Sequence, residues 1–400
     1  MAGAARRAAT GGLLLALAAS SATAGAPPSE LKGLWVVRTA LLSPDTVDRV
    51  VDDASRGGFN ALFVQVRGRG DAFYTSRLLG RSPLLTNQPL GFDPLARLIG
   101  RARTRGLEVH AWINVLLTAH FGLALPEGHV LRVHPEWVMV PKAVAKAGLW
   151  ARPADLLRLV SQAARTDGDV EGYYISPSAP PVAAHLEEVV RELVGGYALD
   201  GLHLDFVRYP GPEYDYSRPT LEAFRKTNRG GGDLLSGPAR DPRAWDAYRR
   251  ATLTGLVARL TTAARRVNPG LRVSAAVAPD EAQAVSQRFQ DWPAWLAQGL
   301  LDAICPMAYT PDSRVFRAQI ESAVARTRPK PAVWAGIGAY RLTVEGTVEK
   351  IRLARQAGAA GVLVFSHESL GRGDMERLRL QAFPPGSSAS PKQPGEPAGR

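Results

Sequence analysis

The chain has 400 residues, a formal net charge of +12 at pH 7 and a single cysteine, Cys305, which excludes a disulfide within the chain. Its arginines are scattered along helical segments, and no motif of interleaved basic and aromatic residues is present, which argues against nucleic-acid binding. A solvated basic surface is the simplest explanation of the charge, and attraction to an anionic polymer is the alternative.

Both ends of the chain differ in composition from the middle. Residues 1–24 contain two arginines, the apolar run GGLLLALAA and a closing Ala-Thr-Ala. This pattern predicts a secretory signal peptide with cleavage after Ala24 or Ala26 and a protein that is periplasmic or secreted. The run is too short to span a bilayer, so we expect no membrane insertion. Residues 384–400 are rich in Pro, Gly and Ser and predict a disordered tail, which leaves one domain over residues 27–383.

Short apolar runs alternate with amphipathic helical segments between these ends. The runs predict strands at 31–38, 60–67, 107–115, 199–207, 271–278, 301–309, 332–340 and 360–367. Several of the helical segments end in glycine, a common helix terminator. Eight strand–helix repeats predict an α/β fold of the (β/α)8 barrel type. An open doubly wound sheet is the alternative, but no glycine-rich dinucleotide-binding turn follows the first strand.

The connection after the third strand is unusually long. It runs over residues 114–176 and includes the segment HPEWVMVPK. Long loops in compact domains are usually functional or disordered. This one would leave its strand at the carboxyl end of the barrel, where barrel enzymes hold their active sites. We therefore expect residues 134–137 at the mouth of a cleft, with Trp137 in contact with substrate.

Three neighbouring strands carry polar residues on one face, and the polarity rises toward their carboxyl ends. Because side chains alternate along a strand, the apolar positions are expected to face the helices and the polar ones the barrel interior. The inward set is Gln65 and Arg67 of the second strand, His110, Trp112 and Asn114 of the third, and His203 and Asp205 of the fourth. This arrangement favours an active site at the carboxyl rim, although a hydrogen-bonded polar plug would give the same pattern.

Several motifs taken together identify a family. They are KGLWVVRTA, ALFVQVRGRGDAFYTS, VHAWINV, HPEWVM, YYISPSAPPVAAHLEEVV, DGLHLDFVRYP, DWPAWLAQGLLDAICPMAYT and VLVFSHESL, over roughly residues 31 to 370. In combination they resemble the glycosyl-hydrolase-like family 10 domain of bacterial envelope proteins. The resemblance implies a (β/α)8 barrel that hydrolyses glycosidic bonds. It implies peptidoglycan glycan strands as the partner, particularly strands stripped of their peptides. We expect no cofactor and no metal.

Glycoside hydrolysis normally requires two carboxyl groups, one ionised and one carrying a proton. Asp205 is the candidate for the ionised group, because Arg208 and His203 are close in sequence and a nearby cation lowers a carboxyl pKa. For the second group we favour Asp280, which follows the fifth strand, by analogy with other barrel glycosidases. Helix N-capping explains Asp280 equally well. The alternatives for this role are Glu281, Asp71 and Glu368.

The other polar and aromatic residues of the rim suit sugar binding. Trp112 and Tyr309 have the flat faces that stack on pyranose rings. The predicted substrate-binding set is Gln65, Arg67, His110, Trp112, Asn114, His203, Arg208, Tyr309 and His367. Simpler structural roles stay open for three of them: core packing for Trp112, an ion pair with Asp71 for Arg67, and a hydrogen-bonded structural histidine for His367.

Two other functions stay open. The barrel could bind glycan without cleaving it, because the second carboxyl group is uncertain. A metal-dependent hydrolase could use His110, His203 and Asp205 as ligands, since a His-x-Asp spacing places two ligands on one strand face. The sequence contains no HExxH motif that would support the metal site.

Overall fold

The computed structural model describes residues 30–164, 170–228, 232–327 and 332–384. The predicted signal peptide, residues 1–24, lies outside the described residues, as does the predicted tail from residue 385 onward. No helix within these ranges is both long enough and apolar enough to cross a membrane.

Eight parallel strands form the centre of the molecule, and two short strands form a separate antiparallel pair. In the described ranges the strands are β1 (Leu31–Val36), β2 (Ala61–Arg67), β3 (Glu108–Asn114), β4 (Leu117–Ala119), β5 (Tyr173–Tyr174), β6 (Gly201–Asp205), β7 (Arg272–Val277), β8 (Ala303–Pro306), β9 (Trp334–Gly338) and β10 (Gly361–Phe365). The order in the large sheet is β8-β7-β6-β3-β2-β1-β10-β9. Bridges from Ile304 to Val333 and from Met307 to Gly336 join its two edges. The predicted (β/α)8 barrel is confirmed, and each predicted strand contains one observed barrel strand.

Helices surround the barrel and fill its longer connections. Within the same residues they are α1 (Pro44–Arg56), α2 (Pro94–Thr104), α3 (Val130–Val133), α4 (Ala145–Gly148), α5 (Pro153–Ala164), α6 (Pro180–Gly196), α7 (Arg218–Asn228), α8 (Ser236–Arg240), α9 (Pro242–Val267), α10 (Glu281–Gln287), α11 (Trp292–Ala297), α12 (Ser313–Thr327), α13 (Val344–Gln356) and α14 (Arg372–Gln381). Side-chain caps start several of them: Ser43 and Thr46 form a reciprocal capping box on α1, and Asp93 caps α2.

The interior of the barrel has its own aromatic core, distinct from the apolar layer between strands and helices. Trp35, Phe63, Trp112 and Trp334 belong to this inner cluster. Large inward side chains require small neighbours, and Gly201 is the clearest case. A Cβ at that position would lie 2.0 Å from Nδ1 of His110 on the adjacent strand, so only glycine fits there.

The long connection after β3 folds over the carboxyl end of the barrel, as expected. Its return strand β5 pairs antiparallel with β4, and the backbone N–H of Met139 donates to the carbonyl of Tyr174 at 2.7 Å. Asp215 ties the connection to the loop after β6, since its carboxylate accepts from the backbone N–H of Val140 at 3.2 Å and from the Thr220 hydroxyl at 2.7 Å. The described parts of the insertion on either side of residues 165–169 therefore form a fixed wall of the rim.

The expected position of Trp137 at a cleft mouth is wrong. The side chain is only 8% exposed and belongs to the main apolar core. Its ring stacks on His134 with centroids 4.3 Å apart and lies 5.8 Å from the ring of His185 on α6. The short helical turn at Pro135–Trp137 directs the indole toward α6, away from the cavity at the end of the barrel.

We expect Trp137→Ala to lower the free energy of unfolding by about 3 kcal/mol, the usual cost of truncating a buried aromatic side chain. Trp150 is 83% exposed, so Trp150→Ala serves as the matched control and should change stability by less than about 0.5 kcal/mol. Chemical denaturation of both variants measures the difference. A Trp137→Ala protein with unchanged stability and weakened glycan binding would restore the original expectation.

Candidate functional site

A cavity of about 320 Å³ opens at the carboxyl ends of the barrel strands. It is lined by Trp35, Val37, Arg38, Gln65, Gly68, Trp112, Asn114, Leu117, His120, Glu171, Asp205, Phe206, Arg208, Ala276, Met307, Tyr309 and Phe365. Six of the predicted site residues are among them: Asp205, Gln65, Trp112, Asn114, Arg208 and Tyr309. The insertion contributes Leu117, His120 and Glu171, so both the barrel and its long loop build the cavity.

A larger groove of about 800 Å³ lies on the outer surface beside α4 and α7, and it shares none of these residues. Its two carboxylates already have local structural partners. Glu222 accepts from Arg218 at 2.8 Å, and Asp233 accepts from the backbone N–H groups of Leu235 and Ser236. The chemistry expected of a barrel enzyme therefore belongs to the smaller cavity.

Asp205 ends β6 on the inward face and is 8% exposed. The backbone N–H of Phe206 donates to its Oδ1 at 2.6 Å. Phe206 itself has a φ of +48°, a left-handed conformation that is costly for a bulky residue and is often found at functional sites. The turn after β6 is thus strained in a way that holds the carboxyl group at the cavity.

The prediction of a low pKa for Asp205 is wrong. Burial raises the pKa of this carboxyl to about 6, and the Phe206 N–H, Arg208 and Trp112 offset only part of the effect. Burial is the main reason, because Arg208 lowers the pKa of Asp205 only in part while its Nη2 donates to Glu171 Oε1 at 2.6 Å. Within the described part of the chain Asp205 forms no ion pair.

Glu171 is the second carboxyl group of the cavity. It comes from the insertion just before β5, and its Oε2 accepts from the Tyr174 hydroxyl at 2.7 Å. Burial alone would raise the pKa of Glu171, but the Arg208 guanidinium and the Tyr174 hydroxyl outweigh burial and hold that pKa below its ordinary value. One cavity therefore holds a carboxyl group that keeps its proton up to about pH 6 and another whose pKa lies below its ordinary value. Two carboxyl groups with pKa values pushed apart are the usual arrangement for paired acid and base chemistry.

The raised pKa of Asp205 has a consequence for stability. The pKa of Asp205 is about 6 in the folded protein and 3.8 for an ordinary aspartate. Above pH 6 the folded protein therefore carries a buried charge, whereas in the unfolded chain water solvates this charge. The difference in pKa corresponds to about 3 kcal/mol of folding free energy. We expect Asp205→Asn to be more stable than the unsubstituted protein by up to that amount above pH 6. The gain should shrink as pH falls from 6 to 4 and vanish below pH 4.

Chemical denaturation at pH 7.5 and pH 4 measures this gain. Asp280→Asn is the control, because Asp280 is an exposed N-cap and asparagine caps helices equally well. Equal stability of the Asp205→Asn and unsubstituted proteins at pH 7.5 would show that the Asp205 carboxyl is not destabilised by burial.

A hydrogen-bonded chain of side chains fixes one wall of the cavity. The Trp112 Nε1 donates to Asn114 Oδ1 at 3.0 Å, and the Gln65 Nε2 donates to the same oxygen at 3.2 Å. The Gln65 Oε1 then accepts from Arg38 Nη1 at 2.7 Å. Because each amide has both a donor and an acceptor partner, the orientations of Gln65 and Asn114 are determined.

Arg67 does not line the cavity, and a β-bulge is the reason. The pairing between β2 and β3 shifts register between Gln65 and Arg67, so that Gln65 opposes the inward Trp112 while Arg67 opposes the outward Ile113. The guanidinium is fully buried on the outer side, where its Nη1 donates to the carbonyl of Asn114. Its role is structural.

The predicted histidines also lie outside the cavity. His203 sits one layer below Asp205, where its Nε2 accepts from Trp35 Nε1 at 3.2 Å and its Nδ1 donates to Ser274 Oγ at 2.9 Å. Burial lowers the pKa of His203 to about 3, so this ring is neutral. His110 is deeper still, stacked on Phe63 with centroids 4.3 Å apart. Both histidines are barrel packing residues.

Asp280 and His367 are also displaced from the cavity. Asp280 is exposed, and its Oδ1 accepts from the backbone N–H of Gln283 at 2.7 Å, which is the N-capping role. His367 Nε2 lies 3.2 Å from Asp53 Oδ2 on α1. The other acids considered for the second role do not line the cavity either: Glu281, Asp71 and Glu368.

The proposed metal ligands do not form a site. In the ranges that the structure describes, no group of three or more His, Cys, Asp or Glu side chains could hold a metal ion. Both ring nitrogens of His203 are already engaged by Trp35 and Ser274.

Sequence reasoning missed eleven of the residues that line the cavity, among them Trp35, Arg38, His120, Glu171 and Phe365. Trp35 had a usable signal, because it shares the inward face of β1 with Leu31 and Gly33. His120 and Glu171 had none, since the insertion has no periodic pattern, and only its antiparallel return along β4 and β5 brings them over the barrel.

Comparisons with known sequences agree with this geometry. Residues 30–332 match the family described as glycosyl hydrolase-like 10. The chain is 26% identical to glycosyl hydrolase DigH of Escherichia coli strain K12 over 284 residues, which are 66% of this chain and 57% of that protein. It is also 26% identical to glycosyl hydrolase YngK of Bacillus subtilis strain 168 over 282 residues, 65% of this chain and 48% of that protein. The chain thus spans about half the length of these relatives.

Comparison with solved structures supports the fold. The glycoside hydrolase domain of PgaB (BpsB) from Bordetella bronchiseptica matches with a TM-score of 0.66 at 16% identity, over 89% of this chain and 100% of that one. An alpha-L-fucosidase isoenzyme 2 from Paenibacillus thiaminolyticus matches with a TM-score of 0.59 at 16% identity, over 87% of this chain and 48% of that one. Both are named as glycoside hydrolases or glycosidases, and at this identity they establish the barrel architecture alone.

Proposed function

Because this chain belongs to the glycosyl hydrolase-like 10 family, we propose that it hydrolyses glycosidic bonds in peptidoglycan glycan strands, in particular strands without peptides. One observation carries the proposal: Asp205 and Glu171 line one cavity at the carboxyl end of the barrel, and their pKa values are shifted in opposite directions. This is the pair of carboxyl groups that glycoside hydrolysis requires.

The two carboxyl groups take different roles in the proposed mechanism. Asp205 retains its proton up to about pH 6 and acts as the general acid that protonates the departing glycosidic oxygen. Glu171 is ionised and stabilises the positive charge that develops on the sugar in the transition state, either as nucleophile or as the base that activates water. Arg208 holds Glu171 in place through the 2.6 Å bond.

The walls of the cavity suit a sugar. Tyr309 and Phe365 lie with their rings 5.6 Å apart and nearly parallel, and they offer apolar surface against which a pyranose ring can pack. The carboxamide side chains of Gln65 and Asn114 offer the polar groups that hydroxyl or acetamido substituents require. The choice of peptidoglycan among glycans rests on the resemblance of the motifs and on the basic net charge of +12, which suits an anionic wall polymer.

Mass spectrometry of reaction products tests the proposal. The purified protein is incubated with peptidoglycan, with and without prior treatment by an amidase that removes the peptides. We expect shorter oligosaccharides, and more of them after amidase treatment. A protein that binds the strands but releases no products would be a glycan-binding barrel without catalysis.

The proposal includes export to the periplasm or beyond, supported by the basic and apolar pattern of residues 1–24. We expect the mature protein to begin at residue 25 or 27, after cleavage at Ala24 or Ala26. N-terminal sequencing of protein purified from its natural source measures this directly. Retention of Met1 in the mature protein would show that this location is wrong.

A further inference from the structure

Two guanidinium groups beside the cavity have no carboxylate partner. Arg38 follows β1 and lines the cavity, and Arg69 follows β2 nearby. Burial and repulsion by Arg69 lower the pKa of Arg38, and the negative charge of Asp71 offsets only part of this. Among the described residues neither guanidinium forms an ion pair, and the Nε of each is buried without a hydrogen-bond partner.

The structure holds the Arg38 side chain in a defined position. Its Nη1 donates to Gln65 Oε1 at 2.7 Å, and Gln65 is oriented in turn by Asn114. A Cβ at Gly68 would lie 2.7 Å from Arg38 Cδ, so the absence of a side chain at Gly68 allows the arginine to lie along this loop. Asn114 Nδ2 fixes the same loop by donating to the Gly68 carbonyl at 2.8 Å.

The backbone of Arg69 is equally constrained. Its N–H donates to Asp71 Oδ1 at 3.0 Å, and its carbonyl lies 2.9 Å from Nε2 of His129 in the insertion. The loop that carries Arg69 is thus fixed from both sides before any ligand arrives. A fixed backbone lowers the entropic cost of ordering the Arg69 side chain on a ligand.

The remaining charges of the cavity do not neutralise the two arginines. Arg208 and Glu171 are paired with each other. His120 lines the same side, and burial together with Arg69 and Arg38 lowers its pKa, so it adds no positive charge at neutral pH. Positive charge is therefore in excess on the Arg38 side, where the buried Nε atoms of both guanidinium groups lack a hydrogen bond that would offset their desolvation. A planar carboxylate is the anion that a guanidinium binds best, through two parallel hydrogen bonds.

We propose that Arg38 and Arg69 form a subsite for a carboxylate carried by the sugar that occupies the cavity. This inference rests on the proposed function for the identity of that sugar. In a peptide-free strand the carboxylate is the free lactyl group of muramic acid, whereas in a peptide-bearing strand the same carbon is an uncharged amide. The subsite thereby supplies a physical reason for selecting strands without peptides.

Kinetics with paired substrates tests the subsite. The substrates are peptide-free strands and the same strands after chemical reduction of their carboxyl groups to alcohols. We expect Arg38→Gln and Arg69→Gln each to lower kcat/KM on the acidic strands at least about 10-fold and on the reduced strands less than about 2-fold. Arg103→Gln, an exposed position on α2, is the control and should change neither. Melting temperatures establish that the variants are folded.

Binding to the inactive Asp205→Asn protein separates the subsite from catalysis. Calorimetry should show tighter binding of acidic than of reduced strands, a preference that falls with added salt and disappears in Asp205→Asn/Arg38→Gln. The subsite would be overturned if the arginine variants lost kcat/KM equally on acidic and reduced strands, or if the Asp205→Asn protein bound both strands with equal affinity. If neither strand is cleaved or bound while a polyuronate is cleaved in an Arg38-dependent manner, the subsite stands and the proposed substrate is wrong.

Discussion

We expect Asp205→Asn to lower turnover on glycan strands by at least about 10²-fold, which corresponds to about 2.7 kcal/mol of transition-state stabilisation. The asparagine keeps the shape of the aspartate but has no proton to give to the departing oxygen. Binding should survive, because the aromatic and amide groups of the cavity remain. Initial rates under saturating substrate measure the loss.

The role of Asp205 as an acid has a specific signature. An activated aryl group leaves a sugar without being protonated. On an aryl glycoside, Asp205→Asn should therefore lower the turnover rate far less than on the natural strand. Asp280→Asn is the matched control, since Asp280 is an exposed helix cap, and it should keep the unsubstituted rate on both substrates. A folded Asp205→Asn protein that cleaves strands at the original rate would refute the assignment.

We expect Glu171→Gln to lower turnover by at least about 10²-fold on natural and activated substrates alike, because the charge that stabilises the transition state is needed whatever the leaving group. Initial rates on the strands and on the aryl glycoside measure both losses. The loss of the charge also leaves buried Arg208 without its partner, which is destabilising. Glu171→Asp, which retains the charge on a shorter side chain, is therefore the second variant and should fold normally while losing rate.

Glu136→Gln provides the control for Glu171, because Glu136 lies exposed in the same insertion and contacts His134. It should not alter either rate. If Glu171→Gln and Glu171→Asp both fold and retain full activity, the second carboxyl group lies elsewhere.

The same two groups set the expected pH dependence. The proposed mechanism requires a protonated Asp205, so kcat/KM should fall as pH rises through about 6. Glu171 must be ionised, and its lowered pKa keeps it so well into the acid range. The profile should be bell-shaped with a mildly acidic optimum, and Asp205→Asn should remove its alkaline limb. An activity that stays constant from pH 6 to 8 would contradict the acid role.

Side-chain periodicity alone was sufficient to predict the barrel strands and the inward position of Asp205. Alternation is a local property of extended backbone, so it can be read without knowing what the strand packs against. The same rule failed at Arg67, because the bulge in β2 depends on pairing with β3. Asp280 was assigned by analogy with other barrels, and local capping of α10 explains it instead.

The sequence by itself determined the eight-stranded barrel, the long insertion over its carboxyl end and one of the two carboxyl groups. Only the tertiary structure showed that Glu171 supplies the second carboxyl group of the cavity, since Glu171 contacts Arg208, which lies 37 residues away along the chain. Only the tertiary structure also decided the raised pKa of Asp205, because burial of its carboxyl group outweighs the attraction of Arg208, three residues away in sequence. A pKa depends on burial and on distances between groups, and neither is set by proximity along the chain.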